Sequence, residues 1–176
     1  MDRAGFEAAY RACYGDLCLV AASAAGRSAA EDVVQQAAIT ALARLDRFTD
    51  GTSFKAWMAT IVRNAARNHR RGERREGDRR LRLAGMGRGR ARGESPAPER
   101  GLDPKIEEAI STLPDRQREA LLLRTVREHD YAVIAELLGV PENTCRSDVL
   151  RARRALASAL EGQRATSPSA GAGGAR

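Results

Sequence analysis

Between Asn143 and Arg154 the chain sets short polar and basic side chains along one helical face. They are Asn143, Thr144, Arg146, Ser147, Asp148, Arg151 and Arg154. Arginine forks onto a guanine edge or a phosphate. Asn, Thr and Ser reach base edges, and a carboxylate accepts from cytosine N4. The spacing leaves open whether Arg146 meets a base or a flanking phosphate. A second set recurs at helical spacing further upstream: Thr60, Arg63, Asn64, Arg67 and Asn68, with Arg70 and Arg71 beyond. Arg neutralises phosphate there, and Asn makes paired hydrogen bonds to a base edge. The loop before it carries Asp50, Gly51, Thr52 and Ser53. Both sets point to nucleic acid.

Catalytic and metal chemistry has no comparable basis. His69 and His129 stand alone, and no H-x-x-x-H, paired carboxylate cluster or G-x-S-x-G occurs. Gly85, Gly87 and Gly89 alternate without a following apolar helix, so they form no phosphate loop. Cys13, Cys18 and Cys145 lack metal-site spacing. Cys145 falls on the apolar side of its helix, where cysteine packs as a small hydrophobe. No cofactor and no enzymatic step is expected.

The elements that must hold these residues are helices. Tyr131, Ile134, Ala135 and Leu138 mark a short helix that stops at Gly139. A turn with Pro141 follows, and a basic helix starts near Asn143. Two helices joined by a tight glycine turn make a helix-turn-helix, whose second helix enters the major groove. Ahead of it, Pro104–Thr112 and Asp115–Arg127 read as two more helices. The N-terminal part reads as three. The first runs from Asp2 to Ala24. The second starts after Ser28, with Glu31 completing a capping box, and runs to Leu45. The third is capped by Ser53 and runs to Arg71, with Phe54, Trp57, Met58, Ile61 and Ala65 as its apolar stripe.

The expected architecture is therefore all-α. Two small helical domains, 1–70 and 103–161, are joined by a flexible basic linker at 71–102, and a disordered tail covers 162–176. From Arg70 to Arg100 there are 11 Arg against five acidic residues. The whole chain carries a net charge of +7, so this segment holds most of the excess. A polyanionic partner fits that balance. Arginine outnumbers lysine 28 to two, a bias that a GC-rich genome explains better than function. No signal peptide is visible, and no run approaches 18 apolar residues. A cytoplasmic protein without membrane insertion is expected.

Two separated stretches resemble one family. The runs AAEDVVQQAAITALARLDRF and SFKAWMATIVRNAARNHRR resemble region 2 of bacterial sigma factors. The run LPDRQREALLLRTVREHDYAVIAELLGVPENTCRSDVLRARRAL resembles region 4. With no domain between them, the layout looks like the extracytoplasmic-function (ECF) group of the sigma-70 family. The resemblance implies a non-catalytic subunit of RNA polymerase that selects promoters and opens them. It places Asp32, Gln35 and Gln36 against the clamp helices of the polymerase β′ subunit. It assigns capture of the promoter strand to the loop before Phe54 and the helix after it, and duplex reading to the helix from Asn143. It leaves an anti-sigma protein open as a further partner. Asp148 departs from the family pattern, which favours Arg or another DNA-compatible residue there. The alternative is a stand-alone helix-turn-helix regulator that binds duplex DNA only.

Overall fold

A computed structural model describes residues 1–83 and 104–166. Among them every regular element is helical: α1 (Arg3–Ala25), α2 (Ala30–Leu42), a 3-10 turn (Leu45–Arg47), α3 (Phe54–Leu83), α4 (Pro104–Thr112), α5 (Asp115–Val126), α6 (Tyr131–Leu138) and α7 (Glu142–Thr166). The glycine pattern of residues 85–89 and the tail from 167 onward lie outside the described residues.

Local chemistry accounts for most of the helix ends. The Asp2 carboxylate accepts from the Gly5 N–H at 2.8 Å and opens α1. Ser53 Oγ accepts from the Ala56 N–H at 3.1 Å and opens α3. Gly139, at φ 66°, ends α6 in the left-handed conformation, and Val140 N–H bonds back to Ala135 O at 3.1 Å. This is the tight turn the sequence predicts between α6 and α7.

Several expectations about the helix ends need correction. The capping box on Ser28 does not form. Ala29 occupies the cap position without a side-chain bond, and α2 starts at Ala30. Ala29 and Ala30 are both buried, so packing rather than capping places this end. The second helix also stops three residues early, at Leu42, before the 3-10 turn. Finally, α3 does not stop near Arg71 but continues to Leu83, so the first part of the segment expected to be a flexible linker is helical. Its ion pairs at helical spacing, Glu76 with Arg79 and with Arg80, support that extension, although each is exposed and individually weak. At the other end, α7 continues past Glu161 to Thr166.

The buried stripe of α3 sits about one residue further round than Phe54, Trp57 and Ile61 suggest. Met58, Ala59, Val62 and Ala66 are fully buried, while Phe54, Trp57, Ile61 and Ala65 are partly buried. The reason is tertiary: α3 is covered by α1, α2 and also α6, so its buried arc is wide. The three aromatics Phe48, Phe54 and Trp57 pack on one another, with ring centroids 5.2 to 5.8 Å apart. They anchor the start of the loop that leads into α3.

The hydrophobic core runs through both halves as one cluster. Leu17, Val20, Val34, Met58 and Val62 fill the N-terminal part, and Leu123, Ile134, Leu137, Val149 and Ala152 the C-terminal part. The halves meet where α1 packs on α5 and α3 on α6. The cysteines belong to this packing. Cys13 and Cys145 are buried, and burial pushes the Cys13 thiol up to about 11.

Candidate nucleic-acid interface

On α7, Cys145, Val149 and Ala152 turn inward. That leaves Asn143, Arg146, Ser147, Arg151 and Arg154 exposed, with Thr144 half-buried at the edge. Ser147 Oγ donates to Asn143 O at 2.9 Å, which leaves its lone pairs facing out. The Arg146 guanidinium lies 4.6 Å from the centre of the Tyr131 ring, and its Nε donates to Glu142 at 3.1 Å. Arg124 also lies against Tyr131, 5.1 Å from the ring centre. Arg124 also donates to His129 O at 2.7 Å. One aromatic ring thus brings an arginine from α5 and one from α7 to the start of the reader helix. By spacing alone Tyr131 belongs to an apolar stripe, and Arg124 has no role. A helical wheel of each element separately cannot show that the two arginines converge.

Asp148 is the main correction on this surface. It does not face outward among the reading residues but is fully buried. Its Oδ2 accepts from Arg116 Nε at 2.6 Å, and Arg151 lies 3.8 Å from Oδ1. Arg116 and Arg151 remain more than half exposed. A buried carboxylate requires paired charge, and here two guanidiniums supply it. Asp148 therefore joins α5 to α7 and cannot reach a cytosine. Replacing it by Ala should destabilise the chain by about 1–3 kcal/mol, because the guanidiniums left behind can rehydrate. Urea denaturation checks this, and an unchanged midpoint would contradict the assigned ion pairs.

On α3, Thr60, Asn64, Arg67 and Asn68 are exposed. Thr60 Oγ1 donates to Ala56 O at 3.0 Å. In the preceding loop Thr52 Oγ1 donates to Thr49 O at 2.6 Å, and the Asp50 carboxylate takes the Met1 amine at 3.0 Å. Asp50 and Thr52 are exposed and Ser53 is half-buried as the helix cap. Arg63 does not project with its neighbours. Its side chain is only 17% exposed and it is bound to Glu119 of α5 at 3.0 Å. It also donates to Leu137 O of α6. The reason is the same as for Asp148: the partner lies in a distant element.

On α2, Asp32, Gln35 and Gln36 are exposed, opposite the buried Val33, Val34, Ala37 and Ala41. A cavity of about 570 Å³ lies between α2 and α3, lined by Asp32, Gln36, Thr40, Arg44, Asn64, Asn68 and His69. Asp32 and Gln36, assigned to polymerase, and Asn64 and Asn68, assigned to the promoter strand, thus share one groove. No His, Cys, Asp and Glu cluster among the described residues is placed to hold a metal ion. No helix among them is long and apolar enough to cross a membrane.

Comparison with known proteins agrees with this layout. Residues 9–76 match the model for Sigma-70 region 2, and residues 104–156 match that for Sigma-70, region 4. The ECF RNA polymerase sigma factor EcfG of Rhodopseudomonas palustris is 33% identical over 132 residues, covering 74% of this chain and 71% of that protein. The ECF RNA polymerase sigma-E factor of Escherichia coli is 32% identical over 135 residues, covering 71% of this chain and 70% of that one. Among solved structures, the sigma factor RpoE of Bartonella quintana, in complex with the anti-sigma factor NepR, aligns with a TM-score of 0.57. It is 28% identical, and the alignment covers 89% of this chain and 97% of that chain. Region 2 stands ahead of region 4, and two relatives more than 30% identical are covered over 70% or more of their own length. The chain belongs to the extracytoplasmic-function group of the sigma-70 family, the sigma factors that direct RNA polymerase to promoters.

Proposed function

We propose that this sigma factor divides its work among three faces. Asp32, Gln35 and Gln36 on α2 dock on the clamp helices of the polymerase β′ subunit. Thr60, Asn64, Arg67 and Asn68 on α3, with Asp50, Thr52 and Ser53 before them, hold the opened promoter strand. Asn143, Thr144, Arg146, Ser147, Arg151 and Arg154 read duplex DNA, with Arg124 beside them. The observation that carries the reading is the groove between α2 and α3. Asp32 and Gln36 of the docking set and Asn64 and Asn68 of the strand set line this one groove, so a chain seated on polymerase would present Asn64 and Asn68 at the edge of the contact.

The mechanism follows from these placements. α7 enters the major groove of closed duplex, where arginine contacts supply affinity and base choice. α3 then binds unstacked bases and phosphates, which recovers part of the cost of melting, a few kcal/mol. The chain forms and breaks no covalent bond in this scheme. It acts as a dissociable subunit in the compartment that holds the polymerase, the cytoplasm. An anti-sigma protein is a further partner, by analogy with the RpoE–NepR complex. Nothing favours the reading as a stand-alone duplex-binding regulator.

Docking has its own test. Asp32 and Gln35 are three residues apart, so they lie on one side of α2. Asp32→Ala with Gln35→Ala should weaken core-polymerase binding about tenfold or more, the loss of one or two hydrogen bonds including a charged one. Helicity should not change, because both side chains are exposed. Titration of labelled variant against core polymerase, with circular dichroism as control, gives the answer. Undiminished binding would refute the docking face.

A further inference from the structure

The outward ridge of α7 carries a hydrocarbon side chain among polar ones. Leu150 is 50% exposed. At 100° per residue it stands about 100–160° round the helix from Cys145, Val149 and Ala152, the buried apolar residues of α7. Met1, Ile39, Leu42 and Val126 are the other large apolar side chains exposed among the described residues, and none of them lies on α7. Apolar residues scattered singly over a surface are ordinary. The neighbours of Leu150 set it apart. Asn143, Ser147 and Arg154 share its ridge at helical spacing, and Arg146 and Arg151 flank it. All five are exposed. Leu150 therefore occupies the centre of the face assigned to duplex DNA.

The polar groups around it narrow what that centre can meet. The Asp148 carboxylate, which could accept from cytosine N4, is buried against Arg116 and does not reach the face. The Glu142 carboxylate at the start of α7 is taken by Arg146. Ser147 spends its proton on Asn143 O. The face thus presents guanidiniums on either side of a branched hydrocarbon. A phosphate offers Leu150 nothing, and pressing hydrocarbon onto it would strip water from the anion without a hydrogen bond in return. In the major groove, guanine offers two acceptors suited to arginine, and thymine offers its C5-methyl to an apolar side chain.

We propose that Leu150 is a specificity-determining residue that reads a thymine through its C5-methyl in the major groove. The proposal rests on the reading of α7 as the duplex reader, and its test separates the two. Leu150 lies one turn after Arg146. That is about 6 Å along the helix axis, or about two base steps. The thymine falls within about two base pairs of the position that Arg146 sets. The contact gains by removing the methyl and the leucine tip from water, so its contribution does not weaken as salt screens the arginines.

The experiment uses the full chain bound to core polymerase and duplexes selected by that complex from a random-sequence pool. In a selected duplex each thymine, on either strand, is replaced in turn by deoxyuridine, which lacks only the methyl. Deoxyuridine at one position should weaken binding about fourfold, the worth of one buried methyl. The ratio of thymine to deoxyuridine affinity should hold as salt is raised, while both affinities fall. Leu150→Ala should bind thymine and deoxyuridine alike at that position. Leu150→Met, which keeps an apolar side chain of similar volume, should retain the preference. Leu150 is half exposed and alanine favours the helix, so the fold tolerates the change. No deoxyuridine effect at any thymine would overturn the proposal. A preference that persists in Leu150→Ala would overturn it too, and if that variant also binds both duplexes more weakly, Leu150 meets polymerase instead of the base. Arg146→Ala on the same duplexes tests the reader itself. Weaker binding there with deoxyuridine neutral keeps α7 as the reader and removes only the role of Leu150. Binding unchanged by both Arg146→Ala and Leu150→Ala, or a pool from which no duplex is enriched, removes the reader and this proposal together.

Discussion

Arg146→Ala is expected to weaken promoter duplex binding by about ten- to a hundredfold and to relax the preference at one position. The magnitude is that of one bidentate arginine–guanine contact, roughly 1–3 kcal/mol. Arg146 is more exposed than buried, so the substitution removes little packing. Its position is fixed by Tyr131 beneath it and Glu142 one turn before it. A held guanidinium loses less freedom on binding than a free one, which favours Arg146 over Arg154 as the specific contact. Binding measured on the promoter and on all single-base variants separates two outcomes. A loss confined to one position identifies a base contact. A uniform loss with a shallower salt dependence identifies a phosphate contact. Affinity and preference both intact would remove α7 from the reader role.

Asn64→Ala carries the second large effect, on strand opening. Asn64 is exposed, and it lines the groove between α2 and α3. Few aromatics are available on this face for stacking. Trp57 is half-buried and packs against Phe48 at 5.2 Å and Phe54 at 5.8 Å. Polar base contacts and Arg67 must then do most of the holding. Loss of such contacts costs about 1–3 kcal/mol, or about ten- to a hundredfold in the population of open complex. Asn64→Ala should therefore lower transcription from a duplex promoter by that factor, and much less from a template with a pre-melted bubble. Permanganate should modify fewer thymines in the variant complex. Equal defects on both templates would remove the melting role.

Much of this is legible in residue types and spacing. Periodicity finds the helices, and Ser53 and Gly139 mark two of their ends correctly. The helix-turn-helix follows from Gly139, Pro141 and the polar run after them. The exposed face of α2 follows from the spacing of Val34, Ala37 and Ala41. Most of what stays hidden has one cause. Asp148 is paired with Arg116, 32 residues away, and Arg63 with Glu119, 56 residues away. A charged residue at the margin of an apolar stripe reads as solvent-facing until a partner from another helix is placed over it. Asp16 shows the same effect more strongly. In the sequence it is an ordinary charge on α1, yet it is buried under two groups more than 100 residues downstream. The extension of α3 stays hidden for a different reason. An Arg- and Gly-rich run lacks an apolar stripe, and its helix rests on exposed pairs such as Glu76 with Arg80.

The central claim is that this chain turns core polymerase into an enzyme that starts at chosen promoters and opens them. Run-off transcription tests it most directly, with purified chain, core polymerase that lacks any other sigma factor, and a library of genomic fragments from the source of the sequence. The account predicts transcripts from a small set of discrete start sites, seen only when both proteins are present, with permanganate-reactive thymines just upstream of each start. Fragments bound by the chain alone as duplex, with no transcript and no reactive thymine when core is added, would contradict it.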